Sequence, residues 1–522
     1  MKTPTDVIEL SNKLMEKRES LLSLWQVLAE HFYPERADFT NTRNIGAELS
    51  DQLVDSYPIL VRRDLANSFG AMLRDGDTWF KMGVEGNSDH MGNMWLQWAT
   101  TRLFKMFKRV DSGFARATAQ GDHDYATFGQ CVISIERNRK ADGLLIRNWH
   151  LRDCAWSDGV NGRVEVVTRK DPGFTFRDAV QFFGEDKVHS TVKNDQHKTP
   201  YKSLDLRHIV MPSEMYGDEK LSRFPFVSIY VDVIHQHILE AVGQTSAHYI
   251  VPRFQTISGT PYAYSPATVA GLPDARTLQA MTFTLLEAGE RYARPPIIAT
   301  QEAIRGDVNL MPDGVTWVSE KYDEKLGASL RTLPQDRGGF PIGLEMRSEI
   351  KGVLGSAFYL DKISLPEVSH EMTAYEVAER MKQFRREALP LFSPIEADYN
   401  GQLCETAFEI AMNSGFLGSP HDIPDSLRDR DIEFKFESPL TASEEEKKAT
   451  QFNQTAELLA QAAQFDQGIG ANVNFDVAIR DAVMGVGSPA TWLYPLEQVM
   501  QTRQQQQMQE AIAQAAELQG VG

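Results

Sequence analysis

Between residues 273 and 360 the hydrophobic pattern predicts two long helices separated by a small β-rich segment. The apolar positions at helical spacing are Leu278, Met281, Leu285, Leu286 and Tyr292 in the first, and Leu344, Ile350, Val353, Leu354 and Phe358 in the second. Arg294-Pro295-Pro296 ends the first helix, because proline lacks an amide donor and clashes with the preceding turn. Each helix has roughly 20 residues and spans about 30 Å. Two such helices cannot form a domain alone, so we expect identical subunits in a ring to cover them.

The segment between the two helices has the pattern of short strands and turns. Pro296-Ile297-Ile298-Ala299 and Val315-Thr316-Trp317-Val318 are predicted strands. Pro312-Asp313-Gly314 and Arg337-Gly338-Gly339 are predicted turns. Together they predict a small domain carried at the ends of the helices.

The first 270 or so residues mix both periodicities and predict an α+β region. Helical spacing covers residues 6–33, 50–73, 94–107, 114–128 and 174–184. Strand patterns cover residues 131–135, 144–146, 164–167, 206–211 and 226–233. The expected fold class is therefore α+β and predominantly helical.

After the second long helix we expect a loop over residues 361–371 and then another long helix. Thr373 and Glu376 have the spacing of a capping box. Bends are predicted at Pro390 and Pro394, and the helical pattern ends at Asn413-Ser414-Gly415. Ile432 to Phe436 alternates like a strand, and the chain from Ser443 is helical and acidic.

Composition and charge narrow the function classes. The 522 residues are 42% hydrophobic and 24% charged, as in a soluble globular protein, and no apolar run approaches a membrane span. Three widely spaced cysteines and an N-terminus without a signal-peptide core predict synthesis in a cytoplasm. With 54 Lys and Arg against 72 Asp and Glu, the net charge is −18. No basic cluster for tight DNA binding is present, although such a surface permits DNA to slide past.

Candidate catalytic or metal-binding motifs are weak. No P-loop sequence occurs, and His150 with Cys154 lacks the further ligands of a zinc site. Asp122-His123-Asp124 could supply metal ligands, but a solvated turn between helices is the preferred interpretation. Asp313, Asp323 and Lys325 have a short nuclease-like arrangement, yet Pro312-Asp313-Gly314 fits a β-turn better. We therefore expect no catalytic residue, no metal and no cofactor.

Several segments, taken in their order and spacing, resemble the portal proteins, the head-to-tail connectors of short-tailed bacteriophages. The segments are Leu65 to Phe80 with Asp77-Thr78-Trp79-Phe80, Tyr262 to Pro266 with Leu272-Pro273-Asp274, Arg294-Pro295-Pro296, and Ala357-Phe358-Tyr359-Leu360 through Met372 to Val377. One departure is Tyr262-Ala263-Tyr264, where a Tyr-Gly-Arg-like sequence is expected.

The resemblance implies a dodecameric ring with a portal fold around a DNA channel. Its parts would be a wing (1–272), stem helices (273–294 and 341–360), a clip (295–340), a tunnel loop (361–371), a long kinked helix with a return strand of the wing (372–442), and a helical crown and tail (443–522). Twelve inner helices about 10 Å apart make a circle roughly 38 Å across, which leaves an opening that can pass a duplex.

The resemblance also implies partners and site residues. The ring would lie at one capsid vertex of the virion and contact passing double-stranded DNA without sequence preference, but no membrane. Its protein partners would be the terminase large subunit, a tail adaptor, and the major capsid and scaffolding proteins. The tunnel loop would present Asp361, Lys362, Ile363, Ser364, Leu365, Pro366, Glu367, Val368, Ser369 and His370. Arg347 and Lys351 would line the stem channel, and Asp307, Asp313, Trp317, Lys321 and Lys325 would form the docking surface of the clip.

Two alternatives stay open at this point. One is a metal-dependent DNA-processing nuclease that uses Asp313, Asp323 and Lys325. The other is a ring-shaped tail adaptor or scaffold that does not thread DNA. Metal-dependent cleavage would favour the first, and normally filled particles without this protein would favour the second.

Overall fold

A computed structural model describes most of the chain. The described residues are 3–44, 46–49, 53–74, 79–85, 89–138, 140, 142–295, 297–299, 330–332, 339–363, 374–428, 430–436, 443–462, 473–485, 488 and 492–519. They form a mixed α+β fold, as the sequence predicts. No helix within these ranges is both long enough and apolar enough to cross a membrane.

The helices and strands are numbered in chain order. The helices are α1 (Pro4–Lys17), α2 (Glu19–Phe32), α3 (Tyr57–Leu73), α4 (His90–Lys108), α5 (Phe114–Phe128), α6 (Phe176–Phe183), α7 (Ser190–Asp195), α8 (Ser213–Tyr216), α9 (Leu272–Ala293), α10 (Gly339–Ala357), α11 (Leu360–Ile363), α12 (Ala374–Ile395), α13 (Gln402–Asn413), α14 (Ser443–Ala462), α15 (Phe475–Gly485) and α16 (Leu496–Gln519). The strands are β1 (Phe80–Val84), β2 (Val132–Arg137), β3 (Leu144–Trp149), β4 (Cys154–Asp158), β5 (Val164–Asp171), β6 (Leu206–Pro212), β7 (Phe226–Asp232), β8 (His237–Gln244), β9 (Tyr249–Ile250), β10 (Gln255–Thr256), β11 (Ala263–Tyr264), β12 (Ile297–Ala299), β13 (Leu330–Thr332) and β14 (Ile432–Phe436).

The chain divides into two compact units. The first comprises Met1–Leu21, Ala66–Tyr264 and Lys362–Gly522, and the second comprises Leu22–Leu65 and Ser265–Asp361. The bounds of wing, stem, clip and crown stay predictions.

The first unit is built around an antiparallel five-stranded sheet of order β4-β5-β6-β7-β8. Helix α1 covers one region of this sheet, because Val7 and Leu14 pack with Ile209 and Val227 in a single apolar cluster. A second cluster joins α6 and α7 to the sheet through Phe176, Phe183, Val192 and Leu206. The sheet is therefore buried by helices from both nearby and distant parts of the chain.

An aromatic cluster around Trp79 joins distant segments of the same unit. Strand β1 pairs antiparallel with β14, so that Phe80 lies opposite Phe436. The Trp79 ring is stacked with Phe114 at 6.2 Å and with Phe436 at 6.3 Å. Trp79 is fully buried, and burial of its large side chain contributes to the stability of this pairing.

The second unit contains α9 and α10. The start of α9 and the end of α10 pack around aromatic side chains. The Phe32 and Phe358 rings lie 5.4 Å apart, and both residues are fully buried. Gly271 lies against them: a Cβ there would come within 2.8 Å of the Phe358 ring. Glycine at this position lets the start of α9 approach both rings.

Many predicted elements are confirmed. Helix α5 has the predicted bounds, α9 ends directly before Arg294, and the helix that begins with α12 continues to Asn413. A π-helical segment, Glu396–Gly401, lies between α12 and α13. The bends at Pro390 and Pro394, which lie inside α12, stay predictions. Strand β14 has the predicted bounds, Ile432 to Phe436, and its residues alternate between half-buried and exposed.

The prediction of one helix over residues 6–33 is wrong at Arg18. Helix α1 ends just before this residue, at Lys17, and α2 begins just after it, at Glu19. Arg18 is buried and donates to the carbonyl oxygens of Leu151 and Arg152 at 3.1 and 2.5 Å. Its position is thus held by a loop far away in sequence, which no local periodicity can indicate.

Two other expectations need correction. The helix predicted over residues 50–73 begins only at Tyr57. Asp122-His123-Asp124 is not a solvated turn, because it lies inside α5 and both aspartates are buried. Asp122 forms a buried ion pair with Arg74. In the described part of the chain, no group of three or more His, Cys, Asp or Glu side chains is placed to hold a metal ion.

Candidate functional site

Helices α9 and α10 of the second unit pack side by side in antiparallel directions. The Tyr292 and Phe340 rings meet edge to face at 5.5 Å near one end. Closer to the middle, a Cβ on Gly343 would lie 2.8 Å from Leu285 Cδ2, so a larger residue would require the leucine to move. The small residue brings the two helices close together along this contact.

Large apolar side chains are exposed on both helices. Phe283 and Leu286 of α9 are 54% and 56% exposed. The exposed apolar residues of α10 are Ile342, Leu344, Met346 and Val353. A concentration of such side chains on one pair of helices is typical of an interaction surface, whereas scattered single residues are not.

The other side of the pair forms an apolar groove. It has a volume of about 430 Å³, and its lining includes Met281, Leu285, Ala288, Tyr292 and Phe340. At about 100° per residue, Phe283 lies on the opposite side of α9 from Met281 and Leu285, and Leu286 lies about 100° around the helix from Leu285. The pair therefore has projecting apolar side chains on one face and an apolar groove on another.

Asp55, in the segment before α3, binds side chains from both helices. Its Oδ2 atom accepts hydrogen bonds from Arg347 Nη2 at 2.8 Å and from Thr282 Oγ1 at 3.3 Å, and it lies 2.9 Å from Lys351 Nζ. Gln279 Nε2 donates to the Asp55 carbonyl oxygen at 2.6 Å, and the Asp55 amide donates to Gln279 Oε1 at 2.9 Å. One carboxylate thus holds α9 and α10 in register.

The electrostatics of Asp55 favour its charged form. Burial alone would raise the pKa of Asp55, since its side chain is almost completely buried. Hydrogen bonds from Lys351, the Tyr57 amide and Arg347 outweigh burial and hold the pKa below its ordinary value. Asp55 is therefore ionised at neutral pH and balances part of the charge of the two cations.

The structure places Arg347 and Lys351, the predicted channel residues of the stem, one turn apart on α10. Their side chains are 32% and 27% exposed, and both contact Asp55. Lys351 Nζ also lies 5.1 Å from the centre of the Tyr57 ring. Both side chains thus bind one carboxylate, and their prediction as channel-lining residues stays a prediction.

Only the start of the predicted tunnel loop is described. Asp361, Lys362 and Ile363 belong to the short helix α11, so the segment begins with a helical turn. The Ser356 hydroxyl donates to Asp361 Oδ2, and Tyr359 between them has a left-handed backbone with φ of 61°. Such a conformation is unusual for a bulky residue and sharply redirects the chain after α10.

The other predicted site residues lie outside the described residues. These are Ser364, Leu365, Pro366, Glu367, Val368, Ser369 and His370 of the tunnel loop, and Asp307, Asp313, Trp317, Lys321 and Lys325 of the clip. Asp323, the remaining residue of the nuclease alternative, and Thr373 of the capping box lie outside them as well. Their roles stay predictions.

Sequence reasoning missed Asp55, Gln279 and Thr282. The only local signal at Asp55 is its position two residues before Tyr57, whose amide donates to Asp55 Oδ1 at 3.0 Å. An aspartate before a helix is ordinarily explained by that turn alone. Its pairing with Arg347, which is 292 residues away, has no signature in the sequence pattern.

Comparison with known proteins supports a phage connector. A sequence profile of the family described as bacteriophage head to tail connecting protein matches residues 5–493. The chain is also 21% identical to the portal protein of Salmonella phage epsilon15 over 518 residues, which cover 96% of this chain and 91% of that protein. Because the profile spans almost the whole sequence, the chain belongs to the family of bacteriophage head-to-tail connecting proteins.

Proposed function

We propose that this head-to-tail connecting protein is a phage portal. Copies of the chain form a ring at one capsid vertex, and double-stranded DNA enters and leaves the head through its channel. The family match and the similarity to a portal protein support this role over a nuclease or a tail adaptor that does not thread DNA. The observation that supports the proposed ring assembly is the exposed apolar surface of α9 and α10.

The two apolar faces of the helix pair suit a head-to-tail contact between identical subunits. Phe283 and Leu286 of one subunit would enter the groove beside Met281 and Tyr292 of the next. Contacts between two different faces are heterologous, and they produce a closed ring when the rotation between subunits completes a circle. Because each side chain is already nearly half buried, burial of the remainder would contribute roughly 1 kcal/mol each.

We further propose that twelve subunits form the ring and that the tunnel loop and part of the stem face the DNA. In the loop, Lys362 and His370 are balanced by Asp361, Glu367 and Glu371. In the stem, Asp55 reduces the positive charge that Arg347 and Lys351 present. A channel with weak net attraction for phosphates lets DNA move without being held.

The remaining parts of the proposal concern partners. The clip residues Asp307, Asp313, Trp317, Lys321 and Lys325 would dock the terminase large subunit during packaging and a tail adaptor afterwards. The wing would contact major capsid and scaffolding proteins. No catalytic role is assigned to the chain, since hydrolysis of ATP belongs to the docked terminase.

The function is tested by interrupting the reading frame in a phage that carries it. We expect capsids without DNA, because heads lacking the channel cannot be filled, and recovery when the intact chain is supplied in trans. Capsids that fill normally but lack tails would show a tail adaptor instead.

Deletion of Ser364 to Val368 should allow rings and empty heads to form while packaging or retention of DNA fails. Loss of assembly, or full infectivity, would reject the proposed role of the loop.

A further inference from the structure

Helix α4 of the first unit has one exposed face with an uneven distribution of side chains. Met91, Met94 and Trp98 occupy its first half, and Arg102 and Lys105 occupy its second half. At about 100° per residue these five side chains lie within a narrow stripe along the helix. From Met91 to Lys105 the stripe is about 21 Å long, at 1.5 Å per residue.

The apolar half of the stripe is open to solvent. Met91 is 62% exposed and Trp98 is 46% exposed, although the opposite face of α4 contributes Leu96, Leu103 and Phe107 to the core. A half-exposed tryptophan beside two methionines is costly to leave in water. Trp and Met are also the side chains that are enriched at the centres of protein interfaces.

The basic half of the stripe is not neutralised. Helix α4 contains no acidic residue, although the whole chain has a net charge of −18. Across the part of the chain that the structure describes, no carboxylate pairs with Arg102 or Lys105. Arg102 Nε instead donates to the Phe416 carbonyl oxygen at 3.3 Å. By contrast, Arg109 just beyond the helix pairs with both Asp111 and Asp142.

We propose that this stripe is a docking surface for an amphipathic helix of another protein, with apolar side chains at one end of its contact face and acidic side chains at the other. The apolar end would cover Met91, Met94 and Trp98, and the acidic end would pair with Arg102 and Lys105. The binding mode is that of a helix whose apolar anchors recur one turn apart. The stripe is distinct from the proposed ring contact, because α4 belongs to the first unit whereas α9 and α10 belong to the second.

Charge and chemistry favour this occupant over two others. A DNA duplex would gain from Arg102 and Lys105 but would leave the Met and Trp side chains without a partner, since phosphate contacts dominate its affinity. A second copy of the chain already has matching apolar faces on α9 and α10. An acidic amphipathic helix satisfies both halves of the stripe at once.

The test uses the full-length protein and a fluorescein-labelled helical peptide. One face of the peptide carries three leucines and two glutamates at the spacing of the α4 stripe. A control peptide has lysine at both glutamate positions. Fluorescence anisotropy should show that the acidic peptide binds at least about 10-fold more tightly than the control and that added salt weakens its binding. Equal affinity of the two peptides, or binding of neither, would overturn the proposal.

Variants locate the binding site. Trp98→Ala should weaken binding of the acidic peptide by about 10-fold or more, as expected for a central aromatic residue. Arg102→Glu with Lys105→Glu should reverse the preference toward the lysine peptide. The matched controls, Tyr201→Ala and Lys198→Glu with Lys220→Glu, change exposed side chains outside α4 and should leave binding unchanged. No effect of the α4 variants would overturn the proposal.

Two further measurements test the other possible occupants, a DNA duplex and a second copy of the chain. A short DNA duplex that displaces the acidic peptide and loses binding with Arg102→Glu would identify a nucleic-acid surface and reject the proposal. Sedimentation of Trp98→Ala should show the same self-association as the unchanged protein. Loss of self-association in this variant would assign the stripe to a second copy and would reject the proposal as well.

Discussion

Lys351 Nζ lies 2.9 Å from Asp55 Oδ2, which Arg347 Nη2 approaches to 2.8 Å from one turn away on the same helix. Thr282 and Gln279 reach the same aspartate from α9. The relative position of the two long helices therefore depends on one buried acidic residue outside both of them. Since these helices also carry the exposed apolar side chains, Asp55 helps to fix the positions of the residues that we propose to form the ring contact.

Replacement of Asp55 should loosen the helix pair. Asp55→Ala removes the partner of two partly buried cations, and we expect a loss of about 3 kcal/mol in the local stability of α9 and α10. Amide hydrogen exchange in these helices should become about 100-fold faster. Asp64→Ala, at an exposed residue of α3, is the matched control and should have little effect. Unchanged exchange in the Asp55 variant would show that the ion pairs do not hold the helices.

The same contact predicts an acid-sensitive helix pair. The folded-state pKa of Asp55 lies below its unfolded value, so its contribution is complete above the ordinary aspartate pKa of about 3.9 and is lost as the pH falls through the lower folded value. Hydrogen exchange of α9 and α10 should therefore be constant from neutral pH to about 5, after correction for intrinsic rates, and increase in more acidic solution. Asp55→Asn should abolish this increase. An identical acid response in both proteins would contradict the assignment.

Arg74 and Asp122 form a buried ion pair, and the loss of either partner should strongly reduce the stability of the fold. Arg74 also donates to Asn400 Oδ1 at 3.3 Å, and its guanidinium lies over the Tyr399 ring. Asp122→Ala leaves the arginine buried without its counter-charge and should cost about 3 to 5 kcal/mol. Arg74→Met combined with Asp122→Leu should recover most of this loss, measured by the melting temperature.

An exposed ion pair provides the control for this experiment. Asp425 and Arg428 are 2.6 Å apart at the surface. Asp425→Ala should change stability by less than about 1 kcal/mol, because solvent weakens exposed pairs. A loss in Asp122→Ala no larger than in Asp425→Ala would contradict a structural role for the buried pair.

Glu396 should make the fold less stable at alkaline pH. It lies in the π-helical segment before α13 and is 7% exposed, and burial raises the pKa of its carboxyl to about 7. The free energy of unfolding falls as the pH rises from the ordinary glutamate pKa of about 4.3 to about 7, because the carboxyl ionises in the unfolded chain before it ionises in the folded one. Glu396→Gln should melt nearly like the unchanged protein at about pH 4, below the ordinary glutamate pKa, and at a higher temperature at pH 8. The exposed control Glu433→Gln should show no such difference, and equal behaviour of both variants would contradict the prediction.

Local signals in the sequence predicted local structure well. Proline and periodicity identified the end of α9 at Ala293 and the whole of α5, because both depend on neighbouring residues. The roles of Arg18, Asp122 and Asp55 could not be predicted from the sequence, because each binds a partner more than 40 residues away. Strands β4 and β8 were also missed. They are edge strands whose pairing with β5 and β7 is decided by the completed sheet.

The candidate site, too, could be predicted from the sequence only where it depends on neighbouring residues. The two stem helices could be predicted because a long apolar period is visible in one stretch of sequence. That Arg347 and Lys351 share a carboxylate could not, because a loop before α3 provides it. The opposite positions of the groove and the exposed Phe283 follow from helix geometry, but only once the partner helix is known.

Electron cryo-microscopy of the purified full-length chain tests the portal assignment most directly. We predict closed rings of twelve copies with a central opening wide enough for a DNA duplex, and with Phe283 and Leu286 of each copy against the groove of its neighbour. Phe283→Ser with Leu286→Ser should leave subunits, whereas Tyr201→Ser should leave the rings intact. Monomers or closed dimers of the unchanged protein at every concentration, or rings whose opening cannot admit a duplex, would contradict the account.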